Sequence, residues 1–228
     1  EPAPDYEYIF QDVLPKGIVA ALAAPGGKGK SMLALQLCVS AAIGKTILPS
    51  FTPSGPMKVM ALLGEDAEEI TRRRLHSMAQ LYVLTTDEER LLNENLFLFP
   101  HQSEALMVKK RDALEQTPRC RWLRKFVHEH EIQLLVLDPK ARWAILEENS
   151  NDQATAFVTC LEEIVKPIGG TVLITHHIRK ESANSGSASG VRGASAFVDS
   201  SRLVITMVTP KKKSGDAVLN SANDDQSY

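Results

Sequence analysis

Cysteine is scarce in this 228-residue chain: Cys38, Cys120 and Cys160 are the only three. They are odd in number and far apart, which argues against a disulfide framework or a zinc site and fits the reduced thiols of a cytoplasmic protein. Aromatic residues make up only 6% of the chain, and none of them cluster into a base-stacking platform. No run approaches about 18 consecutive apolar residues, so no membrane-spanning helix is predicted. The opening Glu1-Pro2-Ala3-Pro4 lacks the charged-then-apolar pattern of a secretion signal. Neither sign of charge dominates, because 26 Lys and Arg against 28 Asp and Glu leave a net −2. That balance argues against a uniformly basic DNA-coating protein and leaves room for a local basic loop. Internal repeats are absent.

What is present is an ordinary globular mixture, 43% hydrophobic and 24% charged. Its length suits one compact domain with a sizeable core. Ile18 to Ala23 reads as a buried strand after Gly17. Met32, Leu35, Val39 and Ala42 recur at helical spacing over 31–42. Residues 44–56 hold Pro49, Pro53 and Pro56 and read as a loop. Strands are predicted over 58–63, 96–99, 132–137, 171–175 and 202–208, and helices over 67–81, 119–130 and 151–165. Residues 101–117 give no clear signal, 181–193 read as a mobile Ser/Gly/Ala-rich loop, and a polar, truncated tail is expected from about 209. Alternation of this kind predicts an α/β fold with a mostly parallel sheet flanked by helices.

The most informative segment is Ala24-Pro25-Gly26-Gly27-Lys28-Gly29-Lys30-Ser31, between a predicted strand and a predicted helix. Glycines there let the backbone turn tightly, so that several N–H groups point at phosphate oxygens. The following helix adds the positive end of its dipole. Lys30 supplies a point charge for the β- and γ-phosphates of ATP, and the Ser31 hydroxyl can ligate Mg²⁺. The first position is Ala24 where the usual pattern has Gly, but Gly29-Lys30-Ser31 is intact. The run from Pro25 and Gly26 through Met32 is therefore the expected nucleotide contact.

Two carboxylates follow. The apolar run Leu134-Leu135-Val136-Leu137 ends in Asp138, placed to help hold Mg²⁺. Pro139 comes next, so a base must lie elsewhere. Glu65, at the end of the strand over 58–63, could deprotonate the attacking water, with Asp66 as helix N-cap or supporting partner.

In this order the residues resemble a RecA-like P-loop ATPase and, more narrowly, the RepA-type hexameric replicative DNA helicases of broad-host-range plasmids. The matching text is Ala24 to Gly27, Gly29 to Leu37, Glu65-Asp66, Arg74-Leu75-His76, Val136 to Asp138, Glu147 to Asn149, His176-His177, Arg192-Gly193, and Val198-Asp199 before Arg202. The resemblance implies a single RecA-like ATPase domain using ATP and Mg²⁺. Glu65 would be the general base, and His176 or His177 the γ-phosphate sensor. Arg202, or else Arg192, would be an arginine finger reaching a neighbouring subunit, which requires a homo-oligomer, in this family a hexameric ring. Arg74 would lie near the adenine. DNA contacts would come from one loop holding Lys140, Arg142 and Trp143 and another holding Arg179, Lys180 and Arg192. Lys211 to Lys213 precede a polar end without the family's basic extension.

Single-stranded DNA is thus the expected partner and a membrane is not. A regulatory or assembly ATPase of the same fold carries the same motifs, and a third reading is a nucleotide-binding interaction module with negligible turnover. Glu65 argues against the last, since a pure binder needs no base.

Overall fold

The computed structural model describes residues 6–100, 104–110, 113–145, 150–178 and 196–208. The stretches holding Glu147 to Asn149, Arg179 to Gly193 and the tail from 209 lie outside the described residues.

A short antiparallel hairpin, β1 (Tyr8–Phe10) with β2 (Leu14–Pro15), opens the described chain. β3 (Val19–Ala24) leads through the glycine segment into α1 (Lys30–Ile43). β4 (Val59–Leu63), α2 (Glu68–Leu81), α3 (Thr86–Asn95) and β5 (Leu96–Pro100) follow. A second hairpin, β6 (Met107–Lys110) with β7 (Ala113–Gln116), precedes α4 (Pro118–Glu129) and β8 (Leu134–Asp138). The remaining elements are α5 (Lys140–Trp143), α6 (Asn151–Val165), β9 (Thr171–His177), α7 (Ala196–Ser200) and β10 (Leu203–Thr206).

Six of these strands form one sheet in the order β10-β3-β9-β8-β4-β5, and every neighbouring pair is parallel. All carboxyl ends therefore share one edge. The residues of β3, β4 and β8 are buried throughout, which is why they read as continuous apolar runs rather than alternating ones. The pleat then divides them. Val19, Ala21, Met60, Leu62, Leu135 and Leu137 meet α4 and α6 on one face. Ala20, Leu22, Val59, Ala61, Leu134 and Val136 meet α1 and the first hairpin on the other.

Helix ends follow local chemistry. α1 ends at Gly44 in the left-handed region, φ 69°, where a Cβ would come within 2.5 Å of the Pro56 nitrogen. Thr117 caps α4 from the residue before Pro118. The three cysteines are free and buried, and Cys120 and Cys160 touch in the core between α4 and α6. Among the described residues no helix is long and apolar enough to cross a membrane.

Candidate active site

The parallel register assembles the site. Ala24 pairs with His177, Ala23 with His176, and Leu63 with Asp138, so the ends of β3, β9, β8 and β4 lie side by side. One strand, β9, separates β3 from β8.

The segment after β3 bends through Gly27 at φ 70° and Gly29 at φ 80°, conformations that side-chain-bearing residues adopt only at a cost. Gly29 is the N-cap of α1, no side chain caps that end, and the first turn carries no acid. The amides and the dipole of a 14-residue helix thus face outward. Lys30 is only 4% exposed. Its ammonium donates to the carbonyls of Ala24 and Pro25, both at 2.9 Å, and lies 3.1 Å from His177 Nδ1. Burial pushes this ammonium below the ordinary lysine range, partly offset by the charges of Asp138 and Glu65.

Asp138 is buried, and its Oδ1 accepts a hydrogen bond from Thr175 Oγ1 on β9. The Gly64 amide donates to the Asp138 carbonyl at 2.7 Å, which fixes the chain just before Glu65. Glu65 stands half-exposed beyond it, with Arg142 Nε 3.7 Å from its Oε1. Asp66 does not cap α2, whose N-cap is Ala67; it pairs instead with Arg74. Arg74 is therefore held by a carboxylate beside Glu65, on a helix where Arg72 pairs with Glu68 along the surface.

The two histidines differ. His177 is exposed and faces Lys30, whereas His176 is part-buried with its ring edge-on to Phe197 at 5.6 Å. Burial, then the nearby charges of Lys140, His177 and Lys30, drive the His176 imidazole down to about 4. A cleft of about 400 Å³ runs along Pro139, Lys140, Ala144 and Ile145 to both histidines.

Lys140, Arg142 and Trp143 do not form an open basic loop. They make up α5, in which Lys140 and Trp143 are buried and Lys140 Nζ lies 5.4 Å from the Phe197 ring centroid. Only Arg142 of the three is exposed. Arg202 immediately precedes β10, its amide donating to the Val19 carbonyl at 3.1 Å, at the other end of the sheet from Lys30, and its guanidinium pairs with Glu162 at 3.7 Å. Lys30, Ser31, Asp138, Glu65 and His177 are thus brought to one sheet edge, and Arg202 is not. Met32, in the first turn of α1, packs toward Leu35, Val39 and Met78. Lys28 is exposed at the tip of the glycine turn.

Amides, a buried ammonium, a hydroxyl at Ser31 and a carboxylate at Asp138 suit a phosphate chain carrying a hard divalent cation. Among the described residues no cluster of three His, Cys, Asp or Glu could hold a metal unaided. A cation bound here would complete its shell with water or phosphate oxygens.

Sequence reading missed Thr175, whose hydroxyl satisfies Asp138. Removing it should leave a buried carboxylate short of a donor. Thr175→Val is expected to lose about 1 to 2 kcal/mol of stability at neutral pH, and Thr175→Ser to regain most of it. Urea midpoints check this, and equal midpoints for Val and wild type would refute it.

The fold is shared with solved proteins. A KaiC-like protein, PH0186, from the hyperthermophilic archaeon Pyrococcus horikoshii OT3 superposes with a TM-score of 0.54 at 14% identity, over 87% of this chain and 74% of that one. At that identity the likeness speaks for the RecA-like fold. In sequence, residues 1–183 match the family described as AAA domain. With its phosphate loop at the carboxyl edge of a parallel sheet, the chain belongs to this AAA domain family of nucleotide-binding, RecA-like P-loop ATPases.

Proposed function

We propose that this chain, read as a single ATPase domain, is an oligomeric ATP-hydrolysing motor acting on single-stranded DNA, as a replicative helicase of a plasmid or mobile element. The observation that carries the hydrolytic part is the convergence of Lys30, Asp138 and Glu65 at one sheet edge. The nucleic-acid part is supported by the order of motifs, which resembles that of RepA-type helicases, and by the exposed guanidinium of Arg142 beside the same edge.

In this reading the glycine-turn amides and Lys30 bind the phosphates, and Arg74 flanks the base. Ser31 and Asp138 hold Mg²⁺, which when bound neutralises phosphate charge. Glu65 takes the proton of the attacking water. His177 is favoured over His176 as the γ-phosphate sensor, because it already contacts Lys30 at 3.1 Å. Arg202 lies at the far end of its own sheet, so a finger role requires a neighbouring copy, as in a ring.

The test is ATP turnover with and without a single-stranded oligonucleotide. At low salt the oligonucleotide should raise turnover several-fold, and added salt should erase the gain. Turnover indifferent to DNA at low salt would replace the helicase by a regulatory ATPase.

A further inference from the structure

Glu65 is flanked by two cations with different properties. Lys30 is buried, and its ammonium feels the charge of Glu65. Arg142 is the second, with Nε 3.7 Å from Glu65 Oε1, and both side chains are about half exposed, 50% and 51%.

The backbone under each partner is fixed. Glu65 follows Gly64, whose amide is bonded to the Asp138 carbonyl at 2.7 Å. Arg142 sits on α5, which begins just past Asp138 and closes on itself through Arg142 N to Pro139 O at 3.0 Å and Ala144 N to Lys140 O at 3.1 Å. Its neighbour Trp143 is fully buried in the core. The Trp143 carbonyl accepts from the Leu106 amide at 2.8 Å, and Ala144 bridges to Met107. α5 is therefore a clamped platform with one outward-facing cation, and the guanidinium can swing while its base stays still.

A carboxylate oriented by a guanidinium is not free to turn toward a water and take its proton. A half-exposed pair is also weak and readily exchanged for another anion. Guanidinium groups bind phosphate oxygens well, in bidentate geometry, and a nucleic-acid backbone adds its own field. We infer that Arg142 is a positioning residue that holds Glu65 back, and that a phosphodiester backbone drawing Arg142 away releases Glu65 for hydrolysis. The inference rests on Glu65 being the general base.

The experiment compares kcat and KM for ATP, with and without single-stranded oligonucleotide, in wild type, Arg142→Gln and Arg142→Lys. Arg142→Gln should raise kcat without DNA about threefold to fivefold, the range a half-exposed ion pair can shift. KM should not move, and the oligonucleotide should add nothing further. Arg142→Lys, which keeps a charge for both carboxylate and phosphate, should restore low basal kcat and stimulation. A structural role for Arg142 would lower kcat in both variants.

Unchanged or reduced basal kcat in Arg142→Gln overturns the inference. So does an acceleration that persists when Glu65→Gln is added to Arg142→Gln, because the effect then does not pass through Glu65. Failure of the underlying reading shows separately: Glu65→Gln alone would hydrolyse ATP at the wild-type rate. If Arg142→Gln is faster but wild type ignores the oligonucleotide, the release by a nucleic-acid backbone is overturned.

Discussion

Glu65→Gln is expected to bind ATP as wild type does and to hydrolyse it about 100- to 1,000-fold more slowly, the usual worth of a positioned general base. The substitution is nearly isosteric and falls on a side chain that is 51% exposed, so the fold has little to lose. It removes only the capacity to accept a proton. The two carboxylates nearest to hand are poorly placed to substitute. Asp138 is buried and takes a hydrogen bond from Thr175, and Asp66 is paired with Arg74. Phosphate release measured under saturating ATP, beside calorimetric titration with Mg²⁺ and ATP, separates turnover from binding. Wild-type turnover in the variant would move the base elsewhere. Loss of binding would mean that Glu65 helps to hold the nucleotide.

How much of this site was legible before the structure depends on how local its determinants are. The phosphate loop is a contiguous pattern whose glycines and lysine report their own conformation, and Gly27 and Gly29 do take positive φ. Asp138 announces itself by ending an apolar run, because a strand buried on both faces leaves no polar residue to compete with it. Other features need the strand order. Thr175 reads as one more β-branched residue until β9 is placed beside β8. The burial of Lys140 likewise depends on Phe197, which lies far along the chain.

Whole elements escaped for a different reason. α3 has no buried residue, so its apolar period is faint, although Thr85 and Glu88 form a capping box that was visible in the sequence. The hairpin strands Met107–Lys110 and Ala113–Gln116 contain one β-branched residue, Val108, and no clean alternation, so they give propensity nothing to find. β9 extends two residues past the expected 171–175 strand, so His176 and His177 are neighbours on opposite faces of one strand end.

That difference in facing gives the two histidines different acid behaviour, and His176 should make the protein sensitive to acid. Its imidazole falls from 6.5 to about 4, first through burial and then through Lys140, His177 and Lys30. Between those values the unfolded chain binds a proton that the folded one refuses, so stability must fall as pH falls. The contribution is fully present above 6.5, and by pH near 4 its loss reaches about 3 kcal/mol, of which about 2 kcal/mol is gone by pH 5. Most carboxylates are still ionised at that point, which keeps the two effects apart. His176→Phe is the informative variant, because a second aromatic ring can keep the edge-on contact with Phe197 but carries no titrating nitrogen. Urea midpoints for both proteins at about pH 7 and pH 5 should show wild type losing roughly 2 kcal/mol more than the variant. Parallel losses would mean that the imidazole accepts its proton within the folded protein. In that event three cations, Lys30, Lys140 and His176, would coexist at the carboxyl edge of the sheet. Such a concentration of charge is tolerable only if an anion, a phosphate above all, shares the cleft with them.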